Sequence, residues 1–137
     1  MEKIFSKKNS KKLLHVVVRA SRIRGKKFIS KSSDFLQVSP IKLNTLGKIC
    51  KPHVHLYKKV NFKKIITQEM WVIVKGRMKV LFYDNDKKYI CYKVLKEGDC
   101  SLTLSGGHCF ESLQKNTIAY EIKSGPYLGR KLDKEEF

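Results

Sequence analysis

Three of the four histidines in this 137-residue chain fall at spacings that suit a metal site. His53 and His55 are one residue apart, Glu69 opens a strand-like run ending at Gly76, and Gly106-Gly107 leads into His108. On an extended strand, residues two apart face the same way. His53 and His55 can then converge on one point, with Glu69 and His108 reaching it from neighbouring strands. Three imidazoles and a carboxylate form a donor set for a divalent transition ion (iron, manganese, nickel or zinc) inside a β-barrel. Gln68 is the alternative donor if the strand register moves by one. Glu111 is a candidate base beside His108, although strand alternation puts it on the opposite face unless the strand bulges. His15 has no partner at ligand spacing and reads as structural or exposed.

The elements that must position these residues read almost entirely as strands. Short strand signals cover residues 13–21, 27–30, 35–43, 60–67, 70–74, 77–83, 88–95, 101–104, 108–113 and 118–122. A further extended stretch holds His53 and His55. Asp84-Asn85-Asp86 is a hairpin signal, and Glu97-Gly98-Asp99 and Ser105-Gly106-Gly107 are turns. Helical periodicity is nearly absent, which predicts an all-β sandwich or closed barrel. Met70–Val74 is apolar on both faces, as expected of a strand buried between two layers. Trp71, Ile73, Phe82 and Phe110 read as core or as pocket wall.

Length predicts a single domain over 1–137, with 1–12 a basic arm and 126–137 a tail or one short helix. The apolar run at Leu13–Val18 ends at Arg19 and is too short for a membrane span or a good signal peptide, so a cytoplasmic protein is expected. The four cysteines show no CxxC spacing and read as reduced thiols, with Cys50 and Cys109 close enough to the histidines to line a pocket. The formal net charge is +18, and residues 1–31 hold eleven cations against one acid. Solvated lysines or attraction of an anionic small molecule account for such a charge better than nucleic acid does. The chain has no helix-turn-helix, zinc finger or Arg/Gly-rich tail. No specific nucleic acid and no membrane partner is expected.

The order of strands and ligands resembles the cupin superfamily. Gly47, His53, His55, Glu69 and Gly76 match its first motif, with five residues before the histidine pair and six between Glu69 and Gly76. Gly98, Gly106 and His108 echo the second. Thirteen residues separate His55 from Glu69 where the motif has three or four, and this reads as a longer hairpin. Leu104 and Ser112 replace a motif proline and asparagine. The stretches Ser105–Glu111 and Gly125–Gly129 are similar to small single-domain cupins associated with polysaccharide or sugar-nucleotide pathways. The resemblance implies a cupin-type double-stranded β-helix, a jelly-roll barrel, with His53, His55, Glu69 and His108 as metal ligands. It implies a homodimer and a small, sugar-derived or anionic substrate handled by isomerase- or epimerase-like Lewis-acid chemistry. The alternatives are an Fe(II) dioxygenase and a non-catalytic ligand-binding or regulatory cupin.

Overall fold

The computed structural model describes residues 1–44, 46, 50, 52–57 and 65–137. Its strands are β1 (Glu2–Phe5), β2 (Leu13–Val18), β3 (Glu69–Lys75), β4 (Arg77–Tyr83), β5 (Tyr89–Lys96), β6 (Cys100–Thr103), β7 (Gly107–Ser112) and β8 (Ile118–Lys123). A 3-10 turn at Ala20–Arg22 and a short helix α1 (Arg130–Asp133) complete the regular structure. Every ladder is antiparallel. A five-stranded sheet has the order β1-β2-β6-β3-β8, and a three-stranded sheet has the order β5-β4-β7. The all-β expectation holds. Among the described residues the two sheets are not hydrogen-bonded into a closed barrel; they face each other as in a sandwich.

Side-chain alternation explains why both faces of the larger sheet are covered. Ile4, Val17, Trp71 and Ile73 pack against Met78, Val80, Phe82 and Leu95 of the smaller sheet. The intervening residues Val16, Val18, Leu102, Met70 and Val72 form a second cluster on the other face. The two-faced apolar character of β3 was legible from the sequence and is borne out. Residues 20–43 supply the outer cover. There, backbone bonds pair Ile29 with Val38, Lys27 with Pro40 and Lys42 with Gly25, with a bridge at Lys26 and Ile41. The expected strands at 27–30 and 35–43 are therefore an irregular antiparallel ribbon.

Residues 1–12 are not a free arm. Glu2–Phe5 pairs with β2 as an edge strand. The Ser6 hydroxyl and Lys7 amide donate to Asp84 Oδ2 at 2.8 and 2.7 Å, fixing this segment to the β4–β5 hairpin. Residues 52–57 are exposed and belong to no strand. The expected strand at 60–67 lies largely outside the described residues.

His15 is structural and fully buried in the sandwich, with its ring 4.7 Å from that of Phe82. Its Nε2 lies 3.1 Å from the Tyr83 carbonyl, which can only accept, so Nε2 carries the proton. Nδ1 then accepts from the Thr103 hydroxyl at 3.1 Å. Burial holds the imidazole pKa down to about 4, against the partial support of the Tyr83 carbonyl. The unfolded chain takes up this proton near pH 6.5 and the folded chain only near 4, so between those values the unfolded state binds more protons. Stability from neutral His15 is complete above pH 6.5 and declines as pH falls toward 4, by about 3 kcal/mol in total. Urea unfolding at a series of pH values should show this loss, and His15→Gln should flatten it. Equal pH slopes in the two proteins would assign the loss to other groups.

Candidate functional site

One end of the sandwich opens into a cleft of about 820 Å³ whose floor joins both sheets. On β3, Glu69 and Trp71 project into it. On β7, His108 and Phe110 stand opposite the core residues Phe82 and Val80 of β4 and face the same interior. The edges converge on Trp71, whose ring meets His108 at 4.7 Å and Phe110 at 4.9 Å, both edge-to-face. On β8, Glu121 and Lys123 lie in register with Trp71 and Glu69 and line the same wall.

His108 Nε2 is 3.1 Å from Glu69 Oε1, although the residues are 39 apart in sequence. Burial pushes the Glu69 carboxyl up, but the hydrogen bond and charge of His108, with the charge of Lys123, outweigh it and hold Glu69 below its ordinary pKa. An ionised Glu69 only accepts, so Nε2 of His108 carries the proton in this hydrogen bond. Its Nδ1 is covered and has no hydrogen-bond partner among the described residues. Lys123 gathers three carboxylates, at 2.8 Å from Glu121, 3.5 Å from Glu69 and 3.8 Å from Asp133. The hydrogen bond that Lys123 donates to Glu121 raises its pKa most, and the charges of Glu69, Glu121 and Asp133 add to it against burial, so its charge is fixed.

The C-terminal segment closes the far wall. The Thr67 hydroxyl donates to Asp133 at 2.9 Å, and Lys87 pairs with Glu135 at 2.9 Å. Phe137 packs edge-on against Tyr83 at 5.2 Å and over Gly107. A Cβ on Gly107 would meet the Phe137 ring at 2.8 Å, and one on Gly106, at φ +87°, would meet the Tyr83 carbonyl at 2.6 Å. The turn that delivers His108 therefore needs Gly106, whereas a side chain at Gly107 would first displace the Phe137 ring. The expected tail is a short helix and a strap.

The four residues expected to bind metal are not brought together. Glu69 and His108 meet, but His53 and His55 stand exposed, with their rings 5.3 Å apart and edge-to-face. Among the described residues no three His, Cys, Asp or Glu side chains form a group that could hold a metal. The physical reason is that residues 52–57 join no ladder, so strand alternation does not aim this pair inward. Gly47 of the matching motif lies outside the described residues. Gln68 is not the alternative donor: it is buried on the opposite face, where its Oε1 accepts the Leu36 amide at 2.9 Å. Glu111 lies opposite Lys79 in an unbulged ladder and pairs with it at 3.1 Å, outside the cleft interior.

Cys109 lines the cleft and lies 3.8 Å from the Tyr83 hydroxyl, whereas Cys50 is exposed. Lys123, Asp133 and Phe137 were missed by sequence reasoning. The alternation of Glu121 and Lys123 against Ile118, Tyr120 and Ile122 was the signal that could have placed the first of them. Comparison with protein-family models, curated proteins and solved structures found no match.

Replacing His108 with Gln removes the main influence that lowers the Glu69 pKa and leaves burial opposed by Lys123. Carboxyl-carbon NMR should find Glu69 titrating below 4.5 in the native protein and higher in His108→Gln. An unmoved titration would separate the two side chains in solution.

Proposed function

We propose that this chain is a cupin-type sandwich that binds a small, hydroxyl-rich, sugar-derived molecule in the cleft and shifts a proton on it, as an isomerase or epimerase does. The contact between His108 and Glu69 carries this reading. A carboxylate that fixes one nitrogen of an imidazole leaves the other nitrogen with the lone pair, the arrangement of an oriented general base. The cleft is of small-molecule size. Its lining joins aromatic surface at Trp71, Phe110 and Phe137 with closely spaced donors and acceptors. Five carboxylates against three lysines favour a neutral polyol over the anionic substrate that the net charge suggested.

In the proposed step, a C–H bond beside a substrate carbonyl breaks and its proton passes to His108. The electron pair forms the C=C bond of an enediolate, and Lys123 offers a fixed positive charge to the oxyanion. Return of the proton to the neighbouring carbon, while the hydroxyl proton passes to the other oxygen, gives the isomer, and return to the other face of the same carbon gives the epimer. Nδ1 is shut off from solvent, so this transfer requires the ring, or the strap seated on Gly107, to move.

A second reading keeps a divalent metal. Glu69 and His108 offer two donors, too few to hold such an ion alone, so the residues as arranged do not fit a resident metal. The specific observation in favour is that His53 and His55 already stand side by side. If residues 52–57 reached the cleft, those imidazoles would complete the expected set.

Trp71 is the sole tryptophan and reports on ligand entry by fluorescence. Sugars that change its emission should be incubated with the protein in deuterated water and followed by proton NMR. The native protein should exchange a carbon-bound proton, and His108→Gln and Glu69→Gln should each slow exchange by roughly 100-fold or more. Binding without exchange would make this a ligand-binding cupin and overturn the enzyme reading. Metal content and exchange lost together in a His53→Ala/His55→Ala variant would put the metal reading in its place.

A further inference from the structure

The ribbon that covers the outer face of the five-stranded sheet has two unlike sides. Its backbone bonds pair residues 25 with 42, 27 with 40 and 29 with 38. The inner side places Ile29, Leu36 and Val38 on the sheet. By alternation from the Lys26–Ile41 bridge, the outer side carries Arg24, Lys26, Phe28, Ile41 and Leu43. Three of these five are large apolar side chains turned to solvent: Phe28 is 58%, Ile41 50% and Leu43 62% exposed. Scattered single apolar residues are ordinary on a surface, but a row on one side of a ribbon is not.

The charge around this row is one-sided. Residues 20–44 contain Arg22, Arg24, Lys26, Lys27, Lys31 and Lys42 against Asp34 alone. Among the described residues none of the six cations enters an ion pair. Lys26 Nζ lies 5.6 Å from the Phe28 ring, so charge and apolar surface are interleaved rather than segregated.

From this geometry we propose that the outer side of the ribbon docks on an anionic phospholipid surface. Apolar side chains there enter the headgroup–acyl boundary while flanking lysines and arginines meet lipid phosphates. Lysine and arginine stems can lie along the same boundary with their charges at the phosphates. Such binding is peripheral. No helix among the described residues is long and apolar enough to cross a membrane. Single-stranded nucleic acid suits the face less well, because it is gripped by rows of aromatic side chains and this face offers only Phe28. Neither Ile41 nor Leu43 gives a base a ring to stack on. The proposal replaces the sequence expectation of no membrane partner and is independent of the cleft, which lies on the other side of the sheet.

Vesicle flotation with the full chain tests it. At roughly physiological salt, the protein should float with vesicles containing about one-quarter phosphatidylglycerol and not with phosphatidylcholine alone. Phe28→Ser/Ile41→Ser/Leu43→Ser should weaken binding by about tenfold, and Arg24→Gln/Lys26→Gln by about tenfold as well. Lys75→Gln/Lys115→Gln removes the same charge elsewhere and should change binding less than about threefold. The charge variant keeps the test decisive if the triple variant folds poorly by circular dichroism. Equal losses in the two charge variants would reduce the binding to general electrostatics and overturn the proposal. So would a folded triple variant that floats like the native protein, or tight RNA binding through Arg24 and Lys26 with vesicles ignored.

Discussion

The five-stranded sheet must be covered on both faces, and most of the molecule follows from that constraint. Its strands β2 and β3 carry apolar side chains on both faces, and β6 carries Cys100 and Leu102 on the outer one. Leaving either face in water would expose several large side chains, each worth about 2 kcal/mol on burial. One face is met by the β5-β4-β7 sheet and the other by the ribbon of residues 20–43. The cleft exists because the two sheets part at one end, where β3 and β7 lend Glu69 and His108. The basic face exists because the other cover, once its inner side is spent on the sheet, turns an equally definite outer side to solvent.

The floor of the cleft is tied to this core through His15. Its imidazole holds the Thr103 hydroxyl and the Tyr83 carbonyl, and both Thr103 and Tyr83 line the cleft. Gly106 passes so close to His15 Nε2 and the Tyr83 carbonyl that no side chain fits. His108 begins two residues later. The position of the candidate base is therefore set by packing beneath it rather than by a loop free to choose its course. The opposite wall is different in kind. The strap is held by exposed ion pairs, one hydrogen bond from Thr67 and a half-exposed aromatic contact, and such surface pairs each contribute about 1 kcal/mol or less. A rigid floor under a weakly held wall is the arrangement expected where a ligand must enter and be enclosed.

Much of this was legible in the sequence where local physics decides. Two-residue alternation in β4, β5 and β8, the Asp84-Asn85-Asp86 hairpin and the two-faced apolar run of β3 all report strands directly. The choice of Glu69 over Gln68 also follows from alternation once β3 begins at Glu69. That the described strands form an open sandwich rather than a closed barrel, and that the histidine pair does not converge with Glu69 and His108, was not legible. Spacing within a segment says which side chains share a face only if the segment joins a sheet, and pairing is a long-range property. The strap was invisible for the same reason. Nothing in Lys-Leu-Asp-Lys-Glu-Glu-Phe indicates that Asp133 meets Thr67 or that Phe137 seats on Gly107.

Net charge and the local charge of the cleft are different quantities. A total of +18 describes the far field, whereas a bound ligand responds to groups within a few ångströms, because screening at physiological salt acts over about 8 Å. Five of the twelve carboxylates line the cleft. The molecule thus presents a cationic exterior to large or distant anions while the cleft sets its own local potential, through Lys123 bound among Glu69, Glu121 and Asp133. Among the described residues the ribbon's cations form no ion pair, whereas the lysines of the cleft are each paired with a carboxylate. The two surfaces therefore differ in kind: the ribbon offers unpaired charge interleaved with apolar side chains, the cleft paired charges and hydrogen-bonding groups around an oriented imidazole.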